Sequence, residues 1–295
     1  MTGRPRGPVV TGVDGSDIAL RAVRWAAREA GARKVPLRLV LAFTHVADRV
    51  AGHPGPGPRL RDQLLDQARK SLRAAAIAAR REVPDVVVEE HLRIGFPTSV
   101  LVDESRSAAL VVVGEQGLGR VAAALTGSVA VSVAVHAECP VVVVRGEGTG
   151  STEGLPVVVG VDGTPISEAA LAFAFDAADR RRAPLIAVHT CPDAPIDPAD
   201  PDDGFEAEKA LLAERLAGWS EKYPGVPVRR VVTDVQPVRQ LLELSRSAQL
   251  VVVGSRGHGD FVGWVLGSVS NAVVHRAACP VAVVRPEVTT EGVLR

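Results

Sequence analysis

The chain of 295 residues lacks several sequence features, and each absence argues against one class of protein. Its three cysteines, Cys139, Cys191 and Cys279, lie far apart without paired spacing, which argues against a disulfide framework. The longest apolar runs are strand-sized, well short of the roughly 18 residues that span a bilayer. The polar start MTGRPRG lacks a secretory apolar segment. Together these features predict a cytoplasmic protein without a membrane partner.

An excess of charge of either sign is also missing. Lysine and arginine number 34, as do aspartate and glutamate, and no basic run is interleaved with aromatic residues. Proteins that bind nucleic acid usually carry such a basic footprint. We therefore expect no nucleic-acid partner.

What the chain does contain is an internal repeat. The segment VTGVDGS at 10–16 returns as VVGVDGT at 158–164, and ECPVVVVR at 138–145 returns as ACPVAVVR at 278–285. A tandem duplication explains both pairs. Residues 146–154 contain no apolar side chain and are typical of a flexible linker. The predicted organisation is a first domain at 1–146, a linker at 147–155 and a second domain at 156–295.

Short valine-rich runs alternate with longer helical stretches in each copy, which predicts an α/β fold with a mainly parallel, five-stranded sheet flanked by helices. In the first copy we predict strands near 9–13, 37–43, 86–92, 110–113 and 141–144, and helices near 17–32, 60–82, 97–107 and 125–137. In the second copy we predict strands near 157–161, 185–189, 228–232, 250–253 and 281–284, with the same helices between them.

A glycine-rich loop follows the fourth predicted strand of each copy. The loops are GEQGLGRVAAALTGS at 114–128 and GSRGHGDFVGWVLGS at 254–268, with identical spacing of the first, second and last glycines. Glycine lets the backbone approach a ligand closely, and free N–H groups at the start of the next helix attract anions. The loops therefore predict a phosphate site in each copy.

Polar residues flank these loops. Asp14 and Asp162 each lie at a strand-to-helix turn, where an aspartate is either a helix cap or a contact to a ribose or a metal ion. Ser128 and Ser268 follow the last loop glycine and are either ordinary caps or contacts to phosphate. Because carboxyl ends of strands bind ligands in open α/β sheets, we favour the ligand role for both pairs.

Two familiar nucleotide motifs are absent. The chain has no GxxxxGK[ST], and neither loop contains lysine, which argues against a P-loop NTPase. The loop glycines are not spaced as GxGxxG and follow the fourth strand, which argues against a dinucleotide-binding Rossmann domain.

The VDGS and VDGT turns, the two glycine loops and the closing CPVVVVR and CPVAVVR resemble the universal stress proteins in their tandem two-domain form. The resemblance covers about residues 9–285. It implies two Rossmann-like domains of the adenine nucleotide alpha hydrolase type that bind ATP with Mg²⁺, the metal at Asp14 and Asp162. The nucleotide-binding residues that it implies are Gly12, Val13, Asp14, Ala42, Gly114, Gly117, Gly119, Gly127, Ser128 and Val129 in the first copy, and Gly160, Val161, Asp162, Val188, Gly254, Arg256, Gly257, Gly259, Gly267, Ser268, Val269 and Ser270 in the second.

The second copy follows the family pattern more closely than the first. Glu115 stands where a small polar residue is usual, and a carboxylate pointing inward would repel phosphate, whereas one facing solvent would matter little. We therefore predict that the second site binds nucleotide better. His258 in the second loop either meets a phosphate or is simply exposed.

His136 and His275 precede Cys139 and Cys279, but with unequal spacing. A metal site is one interpretation. We favour a helix C-terminal histidine followed by a small buried thiol.

The resemblance implies a nucleotide-dependent regulatory protein of the stress response that assembles as a homodimer. An unidentified protein partner would recognise its nucleotide-bound state. Two alternatives are a slow Mg²⁺-dependent ATPase and a structural dimerisation module with vestigial loops. Dedicated catalysis is not expected, because the electrostatic clamp that phosphoryl transfer needs is sparse here. We therefore predict no catalytic residue.

Overall fold

The computed structural model describes residues 7–44, 58–115, 128–145, 153–191, 205–257 and 266–285. Two compact units make up the chain, Met1–Val144 and Arg145–Arg295. The elements of the first unit are β1 (Val9–Gly12), α1 (Asp17–Arg33), β2 (Leu37–Phe43), α2 (Pro58–Glu82), β3 (Val88–Ile94), α3 (Pro97–Ser105), β4 (Leu110–Gly114), α4 (Ser128–His136) and β5 (Val141–Val144).

The second unit repeats this order. Its elements are β6 (Val157–Gly160), α5 (Pro165–Arg181), β7 (Leu185–Thr190), α6 (Glu206–Lys222), β8 (Val228–Thr233), α7 (Pro237–Ser245), β9 (Leu250–Gly254), α8 (Ser268–Arg276) and β10 (Val281–Val284). The α/β prediction is confirmed, and nearly every predicted strand lies within a residue or two of its observed bounds.

All of these strands pair in parallel within each unit. The strand order is β3-β2-β1-β4-β5 in the first unit and β8-β7-β6-β9-β10 in the second. The chain reverses its direction of progress across the sheet between β1 and β4, and likewise between β6 and β9. Open α/β sheets bind ligands in the crevice outside the carboxyl ends of the strands at such a switch point.

Local chemistry explains where the long helices begin and end. Ser16 caps α1 through its hydroxyl, which accepts from the N–H of Ala19, and Thr164 caps α5 in the same way. Both helices end at a residue in the left-handed conformation, Lys34 or Arg182, whose N–H satisfies the last carbonyl groups. The unpaired backbone groups of these helix ends are thus met by local partners.

Two of the predicted boundaries that differ from the structure have a visible local cause. The third strand begins at Val88 rather than near 86, because the N–H of Val86 closes a turn onto the carbonyl of Val83. The helix predicted at 97–107 ends at Ser105, because the N–H groups of Arg106 and Ser107 bond three residues back and tighten the last turn.

The central strands are buried on both faces, as their continuous valine runs require. Strands β4, β5, β9 and β10 are apolar and buried along their length up to the terminal glycines. Among the described helices, none combines the length and the apolar character needed to cross a bilayer.

Candidate functional site

A strand-end aspartate organises the turn after the first strand of each unit. In the second unit, Oδ1 of Asp162 accepts from the N–H of Thr164 at 3.0 Å and from its hydroxyl at 2.7 Å. Asp14 holds Ser16 with bonds of 2.9 and 2.7 Å. The helix caps are therefore Thr164 and Ser16. Each is oriented by hydrogen bonds to the aspartate that lies two residues before it in the chain.

The glycine between aspartate and cap is required by backbone conformation. Gly163 has φ +84° and Gly15 has φ +86°, a region that side chains with a β-carbon rarely adopt. This conformation turns the chain from the strand into the helix and leaves the carboxylate beside the helix start.

The described start of the second glycine loop, Gly254 to Gly257, packs directly against this turn. A β-carbon at Gly257 would lie 2.8 Å from Oδ2 of Asp162, and one at Gly254 would lie 2.7 Å from Cγ2 of Ile166. A β-carbon at Gly267 would lie 3.2 Å from Cα of Arg256. Glycine at 257 is thus explained by close approach to the carboxylate, because its φ is not positive.

Helix α8 starts at the same place without a side-chain cap. Its N-cap is Gly267, and among the described residues no side-chain cap bonds to the first N–H groups of the helix, which include those of Ser268 and Val269. Ser268 is exposed at the first helical position, whereas Ser270 is buried and its hydroxyl donates to the carbonyl of Gly254 at 2.5 Å. Ser270 therefore ties the helix to the end of β9.

Two guanidinium groups add positive charge beside the loop. The pKa of Arg285, at the end of β10, is lowered by burial and then by the positive charge of Arg256. Like charges close enough to perturb one another favour an anion between or beside them. The guanidinium groups of Arg256 and Arg285 therefore lie close enough to interact near the carboxyl ends of β9 and β10.

The first unit shows the same framework, though less of it is described. A β-carbon at Gly114 would lie 2.6 Å from Cγ2 of Ile18, and the N–H of Glu115 donates to the carbonyl of Val144 at 3.1 Å. Helix α4 begins at Ser128, followed by the partly exposed Val129. Five predicted positions lie outside the described residues: Gly117, Gly119, Gly127, His258 and Gly259.

The strand register shows that Ala42 and Val188, the two positions implied for adenine, differ in their place along the strand. Gly12 pairs with Val40, and Gly160 pairs with Val188. Ala42 and Val188 are therefore not equivalent. By the repeat offset, the counterpart of Ala42 in the second unit is Thr190, which lies two residues beyond Val188 in its strand. Gly12 and Gly160 themselves pack closely against Leu101 and Leu241.

The histidines before the buried cysteines behave as helix ends. Exposed His136 bonds through Nδ1 to the carbonyl of Ser132 at 2.7 Å, and His275 lies exposed in the last turn of α8. Cys139 and Cys279 are buried, and burial raises the pKa of Cys279 to about 12. These contacts fit the helix C-terminal interpretation.

Comparison with known proteins decides the family. The sequence profile of the universal stress protein family matches residues 5–145 and again 155–285. The chain belongs to the universal stress protein family. A universal stress protein of Mycolicibacterium smegmatis is 42% identical over 289 residues, covering 94% of this chain and 97% of that protein. One of Mycobacterium tuberculosis is 42% identical over 293 residues, covering 95% of this chain and 97% of that protein.

The fold is shared with solved universal stress proteins. The crystal structure of one from Archaeoglobus fulgidus superposes with a TM-score of 0.73 over 95% of this chain and 96% of that chain, at 18% identity. The two units described above are thus two universal stress protein domains in tandem.

Sequence reasoning missed a polar group in the second universal stress protein domain. His189 on β7 bonds through Nδ1 to the carbonyl of Val161 at 2.8 Å and through Nε2 to Glu208 of α6 at 3.0 Å. Cys191 lies beside them, and its pKa is raised by burial and then by the charge of Glu208. The signal was a histidine and a cysteine two residues apart at a strand end, which face the same side of the sheet.

Proposed function

We propose that the chain binds ATP with Mg²⁺ at the switch point of each domain and acts as a nucleotide-dependent regulatory protein of the stress response. One observation carries the proposal. In the second domain the start of the glycine loop lies against the strand-end turn, with Gly257 next to the carboxylate of Asp162. Loop, carboxylate and the start of α8 thus surround a single place outside the sheet.

Phosphate fits this place by charge and by hydrogen bonding. The first N–H groups of α8 have no side-chain cap, and a helix N-terminus favours anions. Arg256 and Arg285 lie close enough to affect each other, and negative charge would relieve their repulsion. We assign the phosphates to the backbone from Gly254 to Gly257 and from Gly267 to Ser268.

The aspartates suit Mg²⁺, which binds through one or two carboxylates together with substrate phosphates. Oδ1 of Asp162 is committed to Thr164, while Oδ2 faces the loop at Gly257. Asp14 occupies the same position in the first domain and is committed to Ser16 in the same way. When bound, the metal would neutralise the charge between carboxylate and phosphate. The adenine is assigned to the ends of β2 and β7, near Ala42 and Val188.

The variant Ser268→Asp distinguishes an effect on nucleotide binding from an effect on folding stability. Negative charge at the first position of α8 should stabilise the helix by about 0.3 to 1 kcal/mol but repel phosphate. Ser99→Asp is the matched control, since Ser99 is an exposed serine in the first turn of α3 in the first domain. We expect Ser268→Asp, and not Ser99→Asp, to weaken ATP binding at least tenfold.

The first readout is the nucleotide content of the purified protein, counted per chain. Thermal unfolding with and without ATP and Mg²⁺ follows, since a ligand at a hundredfold excess over Kd stabilises the native state by about 2.7 kcal/mol. The same samples report turnover by phosphate release. No bound nucleotide together with an unchanged Tm would refute the proposal, as would equal losses of affinity in the two aspartate variants.

A further inference from the structure

The polar group formed by His189, Cys191 and Glu208 has the composition of a metal site. An imidazole nitrogen, a thiol sulfur and a carboxylate oxygen lie within 4.8 Å of one another. His189 lies at the carboxyl end of β7, Cys191 is the first residue after this strand, and Glu208 comes from the first turn of α6. The ligand atoms converge from two rigid elements, which gives a defined geometry.

The hydrogen bonds of His189 determine which ring nitrogen can act. A carbonyl oxygen only accepts, so the bond of 2.8 Å to Val161 requires the proton on Nδ1. In the neutral ring, Nε2 then carries a lone pair and points at a carboxylate oxygen 3.0 Å away. Two acceptors in contact need a cation between them, either a metal ion or a proton carried by the ring or by the carboxylate.

This arrangement is the one that metal-binding histidines commonly show. Such a histidine donates its other ring N–H to a backbone carbonyl or a carboxylate, which fixes the ring and its tautomer. The side chain of His189 is 14% exposed and that of Glu208 is 36% exposed. The ring is therefore held by its surroundings, while the carboxylate is close enough to solvent to adjust.

We propose that His189 Nε2, Cys191 Sγ and Glu208 form a Zn²⁺ site in the second domain, completed by water. Thiolate and imidazole together favour zinc over magnesium or calcium. Zinc bonds of about 2.0 to 2.3 Å place tetrahedral ligands about 3.3 to 3.8 Å apart, a small adjustment from the observed separations. Binding exchanges the thiol proton for the metal, which forms a Zn–S bond and releases one proton without any redox change.

The first domain has no counterpart of this site. The repeat offset places Leu41 and Phe43 at the positions of His189 and Cys191. A β-carbon at Gly15 would contact Ser71 and one at Gly163 would contact Arg215, so Ser71 and Arg215 are equivalent positions. Seven residues before Arg215 is Glu208, and seven residues before Ser71 is Leu64. We therefore expect one Zn²⁺ per chain, tested without nucleotide because the adenine is assigned to the same end of β7.

The test is a titration of the reduced, metal-free, full-length protein with Zn²⁺ and with Co²⁺ in nucleotide-free buffer. We expect one equivalent to bind and the cobalt form to show a thiolate-to-metal charge-transfer band. His189→Leu and Cys191→Ser should each weaken binding by about a hundredfold or more, since loss of even an outer-shell partner costs about 10- to 100-fold. Glu208→Gln should weaken it less and keep the charge-transfer band.

His91→Gln in the first domain is the matched control. His91 lies 3.9 Å from Glu89 without a thiol beside it, so its loss should leave zinc binding unchanged. The wild-type protein offers a readout that needs no variant, because Zn²⁺ should protect Cys191 from alkylation. Weak binding without the cobalt band, equal binding by Cys191→Ser, or alkylation indifferent to Zn²⁺ would overturn the proposal and leave an ordinary His189–Glu208 hydrogen bond.

Discussion

The two domains share a strand order, but the side-chain hydrogen bonds compared below involve different helices. In the first domain Glu104 of α3, 5% exposed, accepts from Arg38 at 3.0 Å and from Arg93 at 2.8 Å. In the second domain Glu168 of α5 accepts from two side chains of α6, Arg215 at 3.1 Å and Trp219 at 3.4 Å. A duplicated backbone has thus kept its framework while the chemistry on its helices diverged.

The packing of the second helix differs in the same way. Helix α2 buries small residues, among them Ala68, Ala75, Ala76 and Ala79. Counting from Ser71 and Arg215, Ala75 and Ala79 correspond to Trp219 and Tyr223 of α6. There Phe175 stacks on Trp219 with ring centroids 6.0 Å apart and on Tyr223 at 5.7 Å. Small side chains fill this layer in one domain, and an aromatic cluster fills it in the other.

The largest effect should come from removing the centre of that aromatic cluster. Phe175 is fully buried, and Phe175→Ala should lower the free energy of unfolding by about 3 to 5 kcal/mol, since it leaves a cavity between two rings. Denaturant unfolding of both proteins measures the loss. Phe175→Leu is the control, because it keeps most of the volume. A loss below about 1 kcal/mol would show that the second domain can repack like the alanine-lined first.

The next effect concerns the glycine loop. Gly257→Ala should lower the unfolding free energy by about 1 to 3 kcal/mol and weaken ATP binding at least tenfold, because the new β-carbon meets Asp162 Oδ2 at 2.8 Å. Gly218→Ala is the matched control. It lies in α6 with open space around it and should stabilise by about 0.5 to 1 kcal/mol.

Gly117→Ala extends the same comparison to the first domain. Because the second site follows the family pattern more closely, we expect a smaller loss of ATP affinity from Gly117→Ala than from Gly257→Ala in equilibrium titrations. Losses of equal size would show that the two sites are equivalent.

Exchanging loop residues between domains should change affinity by a smaller amount. The first loop has Glu115 and Gln116 where the second has Ser255 and Arg256. The double variant Glu115→Ser with Gln116→Arg removes a negative charge and adds a positive one, so first-site affinity for ATP should rise about tenfold, or about 1.4 kcal/mol. Calorimetry in the Ser268→Asp background reports the first site by itself. An unchanged affinity there would mean that Glu115 does not face the ligand.

The smallest effect is a pH dependence from the buried thiol of the second domain. Burial raises the pKa of Cys279 from 9.0 to about 12, so the folded protein keeps a proton that the unfolded chain loses between these values. Its contribution to stability is complete below pH 9 and falls as pH rises, by about 1 kcal/mol at pH 10.

Cys279→Ala should flatten the stability profile above pH 9, as followed by denaturant unfolding at a series of pH values. Cys139→Ala tests the corresponding buried thiol of the first domain. Parallel slopes for wild type and Cys279→Ala would contradict the assignment.

Much of the fold could be predicted because its signals are local. Valine runs mark strands that are buried on both faces, and the sequences VDGS and VDGT mark a strand end, a glycine with positive φ and a helix cap, all within a few residues. Repetition of the whole pattern indicated two domains of the same kind. The third strand was misplaced by two residues because the valine run begins at Val86, which still belongs to the turn that its N–H closes onto Val83.

The sequence by itself determined the duplication, the class of fold and the family, because each rests on patterns that are close together along the chain. Only the tertiary structure brought Gly257 against Asp162, Arg256 beside Arg285, and His189 beside Glu208. It also set the register that pairs Gly12 with Val40 rather than with Ala42. These neighbours meet because β9 lies between β6 and β10 in the sheet and Glu208 in the first turn of α6 reaches His189 of β7, and no local pattern encodes contacts between residues so far apart in sequence.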